Sequence, residues 1–189
     1  DRTVLLAPSW GKEGILSKCG SEWMSAWQAT GFKSVVRPHP QTVSSEKEML
    51  NSLMEQFPES EKFNWNFDND NFEVLNNADI LITDFSGIIF DYSLVFDKPL
   101  IYADTQFDSG VYDAAWLDEP MWSFRVLPKV GIQLKKEDFS RIGEIITKAF
   151  ESEKLKQGRE SVRSECWQHR GESAKLIADY LIEKQKRGF

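Results

Sequence analysis

Thr83-Asp84-Phe85-Ser86-Gly87 joins the most apolar strand of the chain to a helical stretch. A strand that ends in Asp, Ser and Gly and turns straight into a helix offers unpaired backbone N–H groups. It also offers a positive dipole end and a hydroxyl, a set suited to phosphate or pyrophosphate. Gly87 lets a ligand approach the backbone closely. Asp91 follows one turn on, where a carboxylate can accept from a ribose hydroxyl. The competing reading is local: Asp84 or Ser86 caps the helix and Asp91 is a solvated acid. Spacing alone leaves both open.

Arg37-Pro38-His39-Pro40 sets a cation and an imidazole at the end of another strand, in a loop fixed by two prolines. The His39 imidazole can serve as general base or acid, or donate to a phosphate; a structural role is the alternative. His169, flanked by Gln168 and Arg170 before a helix, reads as a surface or cap residue. In Ser9-Trp10-Gly11-Lys12, after the first strand, the indole packs over a ligand or seals the core edge, and packing is favoured. Asp68-Asn69-Asp70 opens like a calcium loop, but Glu73 stands where glycine is required and Asp79 where glutamate is. No HExxH, Walker A or GxGxxG motif and no His/Cys ligand cluster is present.

The elements that must position these residues alternate strand and helix. Strands are expected at Thr3–Ala7, Ser34–Arg37, Phe63–Phe67, Ile80–Thr83 and Leu100–Tyr102. Helices are expected over 15–30, after a capping box formed by Ser45 and Glu48, from Asp70 through Leu75, and over 87–96. Residues 104–135, with Trp116, Trp122 and Phe124, read as irregular. One helix then carries Phe139, Ile142, Ile145, Ile146 and Ala149, and the last carries Ala174, Ile177, Ala178, Leu181 and Ile182. Strands buried on both faces and alternating with helices imply an α/β, Rossmann-like doubly wound parallel sheet. Ligands bind such sheets beyond the strands' carboxyl ends, here the loops Pro8–Gly14, Arg37–Gln41, Asp84–Gly87 and Ala103–Tyr112.

The chain has 189 residues with 30 acidic and 23 basic side chains, a net charge of −7, which fits one domain over 1–189 and disfavours nucleic acid as partner. No run is long and apolar enough for a membrane span. The two cysteines, Cys19 and Cys166, are read as reduced thiols, in keeping with a cytoplasmic protein. The chain opens at Asp1 and enters a strand almost at once, and is read as an excised domain.

The stretch Ala78-Asp79-Ile80-Leu81-Ile82-Thr83-Asp84-Phe85-Ser86-Gly87-Ile88-Ile89-Phe90-Asp91-Tyr92 closely resembles the signature of the CDP-glycerol glycerophosphotransferase family, enzymes of teichoic acid synthesis. Ala7-Pro8-Ser9-Trp10 looks like that family's Ala-Pro-Thr-Trp, and Arg37-Pro38-His39-Pro40 like its basic-x-His-Pro element. Asp97-Lys98-Pro99 and Trp167…Arg170-Gly171 are similar in turn. The resemblance implies the C-terminal, donor-nucleotide lobe of a glycosyltransferase-B architecture, with the N-terminal acceptor lobe absent. It implies transfer of polyol phosphate from CDP-glycerol or CDP-ribitol to a polyol or glycan acceptor, with CMP leaving. Carried over by position, Ser86 and the Gly87 amide hold the diphosphate, Arg37 adds a phosphate contact, and His39 touches the transferred phosphate. Asp84 orders the loop, Asp91 meets the ribose, and Ser9, Trp10 and Gly110 are loop contacts.

Gly87 replaces the family's second serine, and Ser109-Gly110-Val111-Tyr112 lacks an arginine the family often has. No tightly bound cofactor is expected; a loosely held Mg2+ on the donor diphosphate is compatible. The parent protein would lie at the inner face of the cell membrane if its acceptor is membrane-bound. The alternatives are a donor lobe for nucleotide sugars and a nucleotide-binding module without activity.

Overall fold

The computed structural model describes residues 2–103 and 121–188. Six strands form one parallel sheet in the order β3-β2-β1-β4-β5-β6. They are β1 (Thr3–Leu6), β2 (Lys33–Val36), β3 (Phe63–Trp65), β4 (Ile80–Thr83), β5 (Leu100–Ala103) and β6 (Gly131–Leu134). β1 lies at the centre, with Val4 registered on both Ser34 and Ile80. Successive side chains of a strand point to opposite faces. Val4, Leu6, Ile80 and Ile82 therefore enter one core, and Leu5, Ala7 and Leu81 the other. The first core is covered by α1 (Ile15–Gln28), α3 (Lys47–Gln56) and α7 (Ile142–Glu151). The second is covered by α5 (Ile88–Phe90) and its continuation, α6 (Trp122–Val130) and α8 (Glu153–Cys166). The doubly wound α/β reading is what the chain adopts.

Several local readings are corrected. Ser45 does not form a capping box. It ends a short helix, α2 (Pro40–Ser45), its hydroxyl donating to the Gln41 carbonyl at 2.8 Å, and α3 restarts beyond Glu46. Pro40 opens α2 because a first-turn residue needs no N–H partner. The 15–30 helix forms, with a break at Cys19, whose φ is −153°. The 87–96 helix is one α-turn followed by a π-helical turn over Asp91–Val95, with the Ser93 hydroxyl bonded to the Ile89 carbonyl at 2.6 Å. Of the stretch read as irregular, residues 122–134 form α6 and β6. Pro128 inside α6 and Gly131 opening β6 disguised both. At Gly131 a Cβ would lie 2.3 Å from Leu100 Cδ1 and 3.0 Å from the Leu100 carbonyl oxygen on β5, so a side chain there would force Leu100 to move. The Trp116 reading falls outside the described residues.

The C-terminal region holds one more helix than its periodicity suggested. α8 buries Leu155, Arg159 and Val162 on one face and approaches α6 at Gly158, where a Cβ would meet the Lys129 carbonyl oxygen at 1.9 Å. The last helix, α9 (Ser173–Lys186), buries none of its residues, and Ile177, Tyr180 and Leu181 are more than half exposed.

Asp97-Lys98-Pro99, the turn into β5, is a structural staple. Asp97 sits at a left-handed φ of 54°. Its carboxylate accepts from Arg159 Nε at 2.9 Å and lies 2.8 Å from Arg163 Nη2, both on α8. Burial alone pushes the Asp97 carboxyl up, but the hydrogen bonds from Arg159 and Arg163 outweigh it and hold its pKa below the usual carboxylate value. The Lys98 ammonium donates to the carbonyls of Leu75 and Ala78 at 3.2 and 2.8 Å, capping α4 (Phe72–Asn77); its burial lowers its pKa. Both cysteines are free, and burial pushes their thiols up. Among the described residues no helix is long and apolar enough to cross a membrane.

Candidate functional site

Strand order reverses between β1 and β4, and beyond their carboxyl ends lies a cleft of about 430 Å³. It is lined from β1 by Ala7 and Pro8, from the loop after β2 by Arg37 to Pro40, and from the loop after β4 by Ser86 to Ile88, with Asp91 beyond. The sheet thus brings Arg37, His39, Ser86, Gly87 and Asp91 to one wall-to-wall space.

Arg37 is 8% exposed. Its Nη1 donates to Asn66 Oδ1, a neutral acceptor, and among the described residues no carboxylate pairs with it. A buried charge without a counter-charge is costly. A cation held this way at a cleft wall is placed to take an anionic ligand as its counter-charge.

His39 is the N-cap of α2, and its Nδ1 accepts from the Gln41 N–H at 3.1 Å. A neutral imidazole that accepts at one nitrogen carries its proton on the other. Nε2–H is therefore a donor while this bond stands, which favours charge stabilisation over base catalysis. Ser86 is half-buried, and its hydroxyl has no partner among the described residues. The amides of Gly87 and Ile88 likewise make no hydrogen bond there. Gly87 has φ −59° and ψ −20°, and a Cβ would meet nothing within 4 Å. The conformation itself does not need a glycine. Asp91 is exposed on the turn where the helix widens.

Asp84 and the residues before it take a different place. Asp84 is 1% exposed and does not line the cleft. Its Oδ1 accepts from the N–H of Ser9 at 2.9 Å and of Ser86 at 3.2 Å, and its Oδ2 from Ile15 N–H at 3.1 Å. One carboxylate thus ties the loops after β1 and β4 together. Ser9 meets it through its backbone. A second carboxylate, Glu46, accepts from Gly11 N–H at 2.9 Å and from the Ser17 hydroxyl. The twice-pinned loop turns at Gly11, where φ is 94°, and holds Trp10 outward, 51% exposed, its ring 6.5 Å from that of His39. The packing favoured for Trp10 is therefore not what the loop provides. Gly110 lies outside the described residues. His169 is exposed in the turn between α8 and α9, away from the cleft.

Sequence reasoning missed Asn66, which holds Arg37, and Asn69 to Asn71, which complete the cleft beyond β3. The signal was available: β3 is parallel to β2, so its following loop must emerge at the same edge. Glu46 was missed as well, because it lies in a helix break that the capping pattern concealed.

A six-stranded parallel sheet in this order, with its crevice at the β1/β4 reversal, is a Rossmann-like arrangement, and it is the fold of the C-terminal lobes of glycosyltransferase-B structures. Solved structures of that kind superpose on it. The glycosyltransferase SnogD from Streptomyces nogalater does so with a TM-score of 0.57 and 11% identity, over 94% of this chain and 43% of that one. Anabaena Alr3699/HepE, solved in complex with UDP, gives 0.53 and 12% over 96% of this chain and 49% of that one. The C-terminal CMP-Kdo binding domain of WaaA from Acinetobacter baumannii gives 0.52 and 10% over 85% and 88%. The chain spans less than half the length of the first two. No protein of curated function matches it. Residues 2–117 match the family described as CDP-Glycerol:Poly(glycerophosphate) glycerophosphotransferase. The chain belongs to that family, and it has the fold of these glycosyltransferase domains.

Proposed function

We propose that this chain is the donor-binding part of a CDP-polyol phosphotransferase, holding CDP-glycerol or CDP-ribitol while polyol phosphate passes to a hydroxyl of a polyol or glycan acceptor. The observation that carries this reading is the buried Arg37 guanidinium, at the cleft wall with only a neutral partner among the described residues. Family membership and the likeness to a CMP-Kdo binding domain support it.

In this reading Arg37, the Ser86 hydroxyl and the Gly87 N–H hold the diphosphate, and Asp91 accepts from a ribose hydroxyl. The acceptor oxygen bonds to the phosphorus that bears the polyol as the P–O bond to CMP breaks. The acceptor's proton passes to a base outside this chain. His39 donates through Nε2–H to the transferring phosphate, where negative charge concentrates. Such catalysis is positioning and electrostatic stabilisation. Asp84 acts indirectly, by fixing the Ser9 and Ser86 loops. Trp10 forms the rim. For a Mg2+ riding on the donor diphosphate, Asp70 is the carboxylate of the lining not assigned to the ribose, and the phosphates and water would supply the other ligands.

Calorimetric titration with CDP-glycerol, CDP-ribitol, CMP, UDP-glucose and GDP-mannose tests the reading. Cytidine ligands should bind selectively, and Ser86→Ala should weaken them roughly 10- to 100-fold, the value of one hydrogen bond to a charged group. Preference for the uridine or guanosine donors would overturn it in favour of sugar transfer.

A further inference from the structure

Arg37 and Asn66 stand side by side at the carboxyl ends of neighbouring parallel strands, each following the registered pair Val36 and Trp65. The Arg37 N–H donates to the Leu6 carbonyl and the Asn66 N–H to the Val36 carbonyl, both at 2.8 Å, so the sheet itself fixes both residues. Asn66 divides its amide between two charges. Its Oδ1 accepts from Arg37, and its Nδ2 donates to Asp68 Oδ2 at 2.7 Å. An acid is therefore at hand, but the amide stands between it and the cation.

We propose that Asn66 is the residue that sets the cleft's selectivity for anions: it orients the Arg37 guanidinium without neutralising it. This rests on the reading of the cleft as a phosphate site. A carboxylate at position 66 would complete a hydrogen-bonded ion pair with Arg37, satisfying the cation from within. The cleft would then present a neutral pair to an incoming diphosphate, with a negative charge close to its oxygens. A neutral amide preserves the geometry and leaves the charge for the ligand.

The test uses inorganic pyrophosphate and CDP as probes, titrated calorimetrically into the full chain, into Asn66→Asp combined with Asp68→Asn, and into Asn66→Ala, with thermal melts of each. Asn66→Asp, made together with Asp68→Asn so that the new carboxylate does not face another across the 2.7 Å bond, should weaken both probes roughly 10- to 100-fold while its melting midpoint stays level or rises. Asn66→Ala, which removes no charge, should keep affinity within about threefold and melt lower. A merely structural role would make affinity and midpoint fall together in both variants, and that result overturns the proposal. Wild-type binding that the double variant leaves intact overturns it too, while the reading of the cleft survives. Failure of the wild type to bind either probe removes the phosphate-site reading itself, and this proposal with it.

Discussion

Arg37 and Arg159 are the two buried cations among the described residues, 8% and 6% exposed, one following β2 and the other on α8. Arg159 lies by the turn that leads into β5 and is matched by Asp97, which a second arginine also holds. Arg37, at the carboxyl end of β2, has an amide. The first arrangement is self-sufficient and binds a turn to a helix. The second has no counter-charge among the described residues and lies at the carboxyl ends of the strands, where α/β sheets take their ligands. Burial alone does not separate these two cations; the charge of the partner does, and in the proposed reading it leaves Arg37 for a ligand.

The comparison breaks most sharply under paired substitution. Arg159→Met should cost about 2 kcal/mol of stability, less than a fully buried pair because Asp97 is partly exposed and keeps Arg163. It should leave nucleotide affinity unchanged. Arg37→Met should do the reverse, weakening CDP binding by roughly 10- to 100-fold with little loss of stability, since no internal partner is left charged. Chemical denaturation and calorimetric titration of both variants decide it. If the two lose stability alike, the distinction fails.

The Asp97 clamp can next be sharpened by pH. Its carboxyl is held below the usual value in the folded chain, so the clamp's contribution is complete above the unfolded pKa, about 4, and fades as pH falls through the lower folded value. Asn tolerates the left-handed backbone at position 97, so Asp97→Asn isolates the charge. The variant should melt lower than wild type at neutral pH by the equivalent of about 1 kcal/mol, and the gap should close in acid. A gap that persists below the carboxylate range would assign the effect to geometry.

The smallest effect is expected at Gly87, where a side chain has room. Gly87→Ser should leave stability within about 0.5 kcal/mol. It should raise CDP affinity by about twofold to fivefold, the worth of one added hydroxyl donor beside Ser86.

How much of this was legible follows the same line. β1 and β4 were readable because continuous apolar runs betray strands buried on both faces, and β2 because Val35-Val36 stops at Pro38. The cleft residues were readable because the motif strings abut those strand ends. Arg159 was not, since a charged residue at a core position looks like a gap in a hydrophobic pattern. Asn66 was not, because its meaning lies in what sits across from it on β2. Asp84 announced a polar role by type, but no spacing in the sequence says that its carboxylate serves the amides of Ser9 and Ile15.

Those two bonds span 75 and 69 positions of the chain. At synthesis rates of about 5–20 residues per second, the loop after β1 waits roughly 4 to 15 s for the side chain that shapes it. During that interval β1 has one neighbour at most, β2, and its other edge is open. The centre of the sheet is thus the last part of the amino-terminal half to close. A nascent chain stalled before residue 84 carries both strands and the Arg37–His39 loop, yet has no cleft.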